Sequence, residues 1–524
     1  MHARRLPSIV VAVLLAILVA WSFGQRYAEL TESPFPVGID GYFYPIQLRS
    51  LLETGALAYP ASPLTFWLML PFAAATDPIT GAKLGAALFG ALVAVPAYGV
   101  GARLGHSRGA GLVAAALATT SAGSSFLTFE FVKNGIGLTI ALGALWLVLR
   151  ALDAPSGRRI ALALAGVVAA LLAHKMAGAI VVALAAPGTI CELVGRGVLR
   201  GRRLLYLVAA LAGAVLLVLV LGLLAPERFV SPRDLGLVLG ALGGEARWTA
   251  PALALPPHDL MMGHEALLGG GLALLAAASL ARPVARALGR RGPGPLPTRS
   301  GGERAIAWGI VALALAIALP WLDVSDPQGI GFRLRIVAFI PMSLCAAIAA
   351  PLVCAPLARW ASRRSEDPSR QKLVVDGALA TVALLVVLAM PTERTEGKIE
   401  AHPLMVDAVM GVEGKIPEGG VAIVPERHIA FMVRWYARVP VMLRPERIPP
   451  ARRWRVMPLA FIGMGSPLDR ALLDARREPS LVPPIGLHSK HPNGLVIVSE
   501  RTWEWLLARL PPRARAHFER WPTI

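Results

Sequence analysis

The sequence predicts a mainly α-helical, polytopic membrane bundle followed by a small extracytoplasmic α/β domain. Three observations lead there. The 524 residues are 55% hydrophobic and only 16% charged, with a mean hydropathy of +0.59. Apolar runs near 20 residues recur from Leu6 to Met390, the length a helix needs to cross a hydrocarbon core. Past Pro391 the pattern changes to short apolar strands alternating with amphipathic helical stretches. Disorder, collagen and coiled coil are excluded, because charges are few and neither a glycine period nor sustained heptads occur.

Hydropathy places about eleven spans near 7–24, 79–102, 110–128, 135–152, 160–173, 177–194, 204–225, 264–281, 304–322, 335–358 and 373–390. Each ends at a charged or Gly/Pro-rich break. The span at 160–173 is short and is open to extension through Lys175. The first 24 residues have a signal-peptide-like start in Arg4 and Arg5, but no small-x-small cleavage site follows, so they read as an uncleaved first helix.

Charge tests this alternation. With the N-terminus cytoplasmic, the inner loops carry Arg103 and Arg108, then Arg150, Arg158 and Arg159, Arg196 to Arg203, Arg282 to Arg304, and Arg359 to Lys372. Their net charge is +16, against −3 for the outer loops before residue 391 and +6 beyond it, which together give the chain's +19. Basic residues gather on the cytoplasmic side of a membrane protein. The asymmetry therefore predicts an inner (plasma) membrane protein with its C-terminal region outside. It also removes nucleic acid as a partner, since the cations are dispersed over short inner loops.

Two outer loops are long, 25–80 and 226–263. The first holds Tyr42, Phe43, Tyr44, Leu48, Leu51 and Leu52, then Phe66, Trp67 and Leu68, a composition that suits interfacial helices. The second is rich in Pro and Gly, and reads either as a cover over a site or as plain connection. The division is thus 1–390 for the membrane domain and 391–524 for the outer one. In the latter, 420–425, 439–443 and 495–499 read as strands, and 426–438, 468–477 and 500–510 as helices. No GxGxxG or Walker loop is present. The cluster Arg452-Arg453-Trp454-Arg455 is either a contact for anionic lipid or glycan or a solvated face. Cys191, Cys345 and Cys354 lie in or beside spans, the last two roughly 13 Å apart along a helix and too far to bridge.

The candidate chemistry collects on the outer side. Asp40, between Gly38 and Gly41 and followed by Tyr42, Phe43 and Tyr44, lies about fifteen residues beyond the first span. It is placed to act as a base or to hold a polar substrate, or else it is a loop or helix-capping residue. Glu130 with Lys133 and Asn134 stands at the next outer junction, and His174-Lys175 at the one after. Ionisable groups at membrane depth are costly and mark function, while at the lip they snorkel at little cost. Arg333 and Arg335 run against the charge trend, either meeting an anion such as phosphate or pairing with Asp323 and Asp326.

These motifs, in this order, resemble the GT-C superfamily of membrane glycosyltransferases, which use polyprenyl-phosphate-linked sugars, and in particular its protein mannosyltransferase and aminoarabinose transferase type. Asp40-Gly-Tyr-Phe-Tyr-Pro-Ile-Gln-Leu-Arg-Ser-Leu-Leu-Glu-Thr-Gly55 is similar to the acidic-aromatic segment of their first outer loop. Tyr59 to Trp67 resembles the Pro/aromatic stretch that follows, His174 to Gly178 the Lys-small-residue helix start, and Phe332 to Pro341 the arginine-led helix that contacts lipid phosphate. Glu130 to Asn134 falls where some branches place a second acidic site. The chain departs in having no second acid adjacent to Asp40, and it lacks the WWD-type signature of oligosaccharyltransferases, which argues against protein N-glycosylation.

The resemblance implies inverting transfer of a sugar to a lipid, glycan or protein acceptor on the outer face. Asp40 is then the catalytic base, with Tyr42, Glu130, Asn134, His174, Lys175, Arg333 and Arg335 binding substrate. A divalent cation shared by Asp40 and Glu130 is compatible with this, but no dedicated ligand set exists, so no obligatory cofactor is expected. The competing readings are a flippase-like or otherwise non-catalytic binder of lipid-linked glycan, and an O-antigen polymerase or ligase, whose main outer loop would lie late in the chain.

Overall fold

In the computed structural model the apolar stretches become helices whose ends are fixed by identifiable caps. The structure describes residues 7–38, 40–199, 201–224, 257–281, 299–318, 330–389, 421–423, 427–438, 441–442, 453–459 and 493–499, with a few isolated positions besides. Contacts divide the chain into two units. One comprises 1–32, 59–72 and 83–397, the other 33–58, 73–82 and 398–524.

The first unit is helical. It contains α1 (Ser8–Thr31), most of α3 (Leu64–Ala75) and α4 (Pro78–Leu92), then α5 (Ala94–Leu104), α6 (Arg108–Thr120), α7 (Ala122–Phe129), α8 (Val132–Asp153), α9 (Gly157–Ala173), α10 (Lys175–Gly195) and α11 (Arg202–Leu224). After these come α12 (Pro257–Leu280), α13 (Gly301–Ala318), α14 (Ile330–Ile336), α15 (Phe339–Val353), α16 (Ala355–Arg364) and α17 (Pro368–Ala389). Among the described residues, six helices are long and apolar enough to span a membrane, and up to eight if each bent pair counts once. The predicted spans fall on helix where their residues are described, and the chain is a multi-pass membrane protein. Ser107 and Ser156 cap α6 and α9 by accepting from Ala110 N and Arg159 N, supplying acceptors for amides the helices leave open.

Small residues set the packing. A Cβ added at Gly101 would lie 2.6 Å from the Ala114 Cβ, and one at Gly111 would lie 2.7 Å from the Ala102 Cβ, so α5 and α6 cross at near backbone contact. Helices in lipid gain nothing from burying apolar surface as such and associate through close packing of this kind.

Two boundaries differ from the sequence reading. Helix α1 runs on through Gly24 to Thr31 rather than ending near residue 24, because Ser22, Arg26 and Leu30 continue one buried face at i, i+4. The stretch 335–358 is three helices, with Arg333 and Arg335 on the short α14. At the other doubtful boundary, α9 stops at Ala173: His174 is extended (φ −160°), so the helix does not continue through Lys175.

The loops assigned to one side of the membrane by charge do gather at one end of this unit. Arg103 bridges Asp153 (2.6 Å) and Glu303 (3.4 Å), Glu192 accepts from Gly302 N (2.9 Å), and Asp376 accepts from Ser107 Oγ and from Gly109 N (3.2 Å). His106 sits in this cluster in a left-handed conformation (φ 53°) with Nε2 3.9 Å from Glu303. Burial, with help from Arg299, Arg103 and Lys372, pushes its pKa down from 6.5 to about 4. The unfolded chain therefore takes up the proton first. The stability contributed by neutral His106 is complete above about pH 6.5 and is lost as pH falls toward 4. His106→Asn, which tolerates the same φ, is expected to flatten the fall in thermal midpoint between pH 6.5 and 4; an unchanged slope would contradict this assignment.

The second unit holds a four-stranded, all-parallel sheet of order β2-β1-β4-β3, from β1 (Val421–Ile423), β2 (Val441–Met442), β3 (Arg453–Leu459) and β4 (Asn493–Ser499). Helix α18 (Arg427–Tyr436) connects β1 to β2, as the sequence pattern predicts. The Arg-Trp-Arg cluster is part of β3, which pairs with β4 over seven residues from Arg453↔Asn493 to Leu459↔Ser499. The predicted helices at 468–477 and 500–510, the Pro/Gly-rich outer loop, and Asp323 and Asp326 lie outside the described residues or almost wholly so. This unit also contains α2 (Phe43–Thr54), ended by Gly55 in the left-handed region (φ 70°).

Candidate active site

A break between two consecutive apolar helices organises the polar residues of the first unit. Helices α6 and α7 meet at Ser121 at 47°. A break exposes carbonyls at one helix end and amides at the next, and inside a bundle each needs a partner. Both ends have one. Arg26 donates to the Thr119 carbonyl (3.0 Å) at the end of α6. Glu265 of α12 accepts from Ala122 N (2.5 Å) and Gly123 N (3.2 Å) at the start of α7, and Ser121 Oγ accepts from Ser124 N (3.2 Å). A cation thus sits at the negative end of one helix and a carboxyl group that accepts its open amides at the positive end of the next.

Arg26 is 2% exposed; its hydrogen-bond acceptors are all neutral, and the Glu29 carboxylate adds a favourable charge interaction. Nε donates to Thr128 Oγ1 (3.1 Å), Nη1 to Ser22 Oγ, and Nη2 to Ser124 Oγ (2.7 Å) as well as to Thr119 O. Gly90 leaves room for this knot, since a Cβ there would lie 2.6 Å from Thr128 Oγ1 and 3.0 Å from Arg26 Nε.

The predicted site residues of this unit are arranged from α7 outward. Glu130 caps the C-terminus of α7 and is buried, and Asn134, in the first turn of α8, is half-buried. His174 caps α10, its Nδ1 accepting from Ala177 N (3.4 Å), and its Cβ would lie 2.5 Å from a Cβ on Gly137, one turn along α8 from Asn134. Lys175 is the first residue of α10. On the other flank α14 packs against α7: Phe332 meets Phe126 edge-on at 6.3 Å, and the Ile336 carbonyl lies 2.3 Å from where a Gly123 Cβ would be. Arg333 is half-buried on α14. Arg335 is 6% exposed, and its Nε has no hydrogen-bond partner among the described residues. A buried guanidinium with no carboxylate partner among the described residues is costly in isolation and favours an anion with acceptor oxygens.

Asp40 and Tyr42 belong to the second unit. Gly38 (φ 94°) and Gly41 make a tight turn in which Gly41 N donates to Gly38 O (2.9 Å), and a Cβ at Gly41 would lie 2.7 Å from the Val37 carbonyl. The half-buried Asp40 is tied to α2 through its carbonyl, which accepts from Phe43 N (2.9 Å). Tyr42 is buried, with its hydroxyl 2.9 Å from that of Tyr436.

Sequence reasoning missed Arg26, Glu265 and the buried Lys83 of α4. Arg26 had a signal, the helical register that continues past residue 24. Glu265 looked like the charged rim of a span. No group of three or more His, Cys, Asp or Glu among the described residues is arranged to hold a metal ion, so a divalent cation has no assembled donor set there.

No protein-family model matches the chain, and no curated protein matches it in sequence. Solved structures do. The oligosaccharyltransferase of Archaeoglobus fulgidus, in complex with Zn and sulfate, aligns with a TM-score of 0.51 at 14% identity over 84% of this chain and 63% of that one. ArnT from Cupriavidus metallidurans aligns with a TM-score of 0.45 over 96% of this chain, both bound to undecaprenyl phosphate (14% identity, 95% of that chain) and in the apo state (13%, 94%). Likeness at such identities concerns architecture. The chain shares its fold with the archaeal oligosaccharyltransferase.

Proposed function

We propose that the chain is an inverting membrane glycosyltransferase that moves a sugar from a polyprenyl-phosphate-linked donor to an acceptor on the extracytoplasmic face. The observation carrying this reading is Arg335, a buried guanidinium beside the break between α6 and α7 in a fold shared with the archaeal oligosaccharyltransferase. Asp40 takes the proton from the acceptor's nucleophile, which attacks the anomeric carbon from the face opposite the phosphate. The bond from that carbon to the phosphate oxygen breaks, and its electron pair leaves with the polyprenyl phosphate. Arg333, Arg335 and Lys175 neutralise that leaving group, so no strong general acid is needed. Glu130, Asn134 and His174 line the donor's sugar, and Tyr42 serves substrate binding through the turn that carries Asp40.

This reading includes eleven crossings, a cytoplasmic N-terminus and an α/β domain at 391–524 outside the membrane. It assigns no obligatory metal. A lipid, glycan or protein each fits as acceptor class. Transport of lipid-linked glycan is favoured by one observation, a broken helix, since transporters use discontinuous helices. Here, however, both ends of the break are fastened by Arg26 and Glu265, which suits a fixed scaffold better than a moving gate.

The test is incubation of the purified chain in nanodiscs with labelled polyprenyl-phosphate sugars and a membrane acceptor extract. Expected are label transfer, inversion at the anomeric carbon in the product, and survival of transfer in EDTA. Retention of configuration would overturn the mechanism. Label crossing the bilayer without transfer would favour transport, and loss of transfer in EDTA would require a cation held by Asp40 and Glu130.

A further inference from the structure

Within the second unit, the helix that carries the Asp40 turn is fastened to α18 at three chemically distinct points. The Tyr42 and Tyr436 hydroxyls are 2.9 Å apart, and the Tyr42 ring also meets Trp435 with centroids 6.4 Å apart. Phe43 packs on Phe431 at 5.4 Å. Arg49 donates from Nη1 to the Trp435 carbonyl (2.9 Å) and from Nη2 to the Arg434 carbonyl (3.3 Å), with its guanidinium 4.3 Å above the Trp435 ring. Those carbonyls lie in the last turn of α18, where a cation compensates both the open acceptors and the helix dipole.

Asp40 cannot move independently of this joint, because its own carbonyl is held by Phe43 N at the start of α2. A roll of α2 on α18 therefore displaces the carboxylate. Burial raises the pKa of both phenols, so the pair stays protonated and the joint does not titrate in the neutral range.

We infer that Arg49, Tyr436 and Trp435 are positioning residues: α18 of the C-terminal region braces the Asp40 turn for turnover rather than for donor binding. The inference rests on Asp40 being the base. The joint itself does not depend on that reading.

The experiment uses the full chain in nanodiscs, with Tyr436→Phe, Tyr42→Phe, their double variant, Arg49→Gln and Arg49→Lys. Hydrogen exchange across 38–54 is expected to accelerate at least tenfold, roughly, in Tyr436→Phe and Arg49→Gln, with the helices of the first unit unchanged. In transfer assays kcat should fall by about tenfold or more while the donor KM stays within about twofold, as expected when a reacting group is misplaced by a fraction of an ångström. The double tyrosine variant should be no worse than either single one, since both remove the same bond. Arg49→Lys, which still reaches a carbonyl and the indole, should recover part of the loss. Unchanged exchange in both Tyr436→Phe and Arg49→Gln would overturn the brace, as would kcat unchanged beside an active wild type. If the wild type transfers no sugar, the catalytic reading fails, and the exchange data alone decide whether the joint holds the turn.

Discussion

Asp40→Asn is expected to lower kcat by about 10²–10⁴-fold, the usual range for a lost general base, with donor KM and thermal midpoint nearly unchanged. Asparagine has the shape of aspartate and is at ease in turns. The bonds that shape this turn, Gly41 N to Gly38 O and Phe43 N to Asp40 O, are made by backbone and survive the substitution. What is lost is the capacity to accept a proton. The loss therefore falls on the chemical step, and kcat and kcat/KM should fall together. Steady-state transfer with a labelled donor, measured alongside thermal unfolding of the same preparation, decides it. Activity within about threefold of wild type would remove Asp40 from the chemistry, because a positioned carboxylate base contributes at least about a hundredfold.

The candidate residues differ in how far the sequence betrayed them. Asp40 was legible because two glycines and three aromatics surround it, a pattern with no role in a lipid-facing helix. Arg333 and Arg335 were legible as cations on the anionic side. Arg26 and Glu265 were not, because hydropathy windows end at a charge and read it as a rim. Their partners, Thr119, Ser124 and Thr128 for Arg26 and Ala122 and Gly123 for Glu265, lie 93 or more residues away in sequence.

The same reasoning applies to the fold. Spans were legible because lipid demands continuous apolar runs, and the charge asymmetry identified which loops share an end. The break at Ser121 was hidden, since the apolar residues farther along α6 and α7 average with the polar stretch 119–125 into one hydropathy peak. The docking of α2 on α18 was also hidden. It joins residues 394 apart, such as Tyr42 and Tyr436, and no local periodicity reports such a pairing. Strand β3 was masked by its own arginines, which made a solvated face the simpler reading.

Arg26→Lys is expected to destabilise the first unit by about 3–5 kcal/mol, and by more than Arg26→Met does. The order follows from what each replacement keeps. Arginine is tolerated there because its planar fork reaches four acceptors at once, on α1, α6 and α7, with the Glu29 carboxylate adding a favourable charge three residues along α1. Lysine keeps the buried charge, or the cost of shedding its proton, but concentrates its donors at one atom that cannot reach acceptors spread around a guanidinium. At least two charge-assisted bonds are lost, at about 1.5–3 kcal/mol each, with no relief in desolvation. Methionine also loses those bonds, but it removes the charge with them. The serine and threonine hydroxyls can turn to carbonyls of their own helices, as Thr128 Oγ1 already does to the Ser124 carbonyl (3.1 Å). Only the Thr119 carbonyl is then stranded, at about 1–3 kcal/mol. Thermal and denaturant unfolding of both variants in nanodiscs checks the ranking. A methionine variant less stable than the lysine variant would mean that the charge at the end of α6, rather than the fork, holds the break in place.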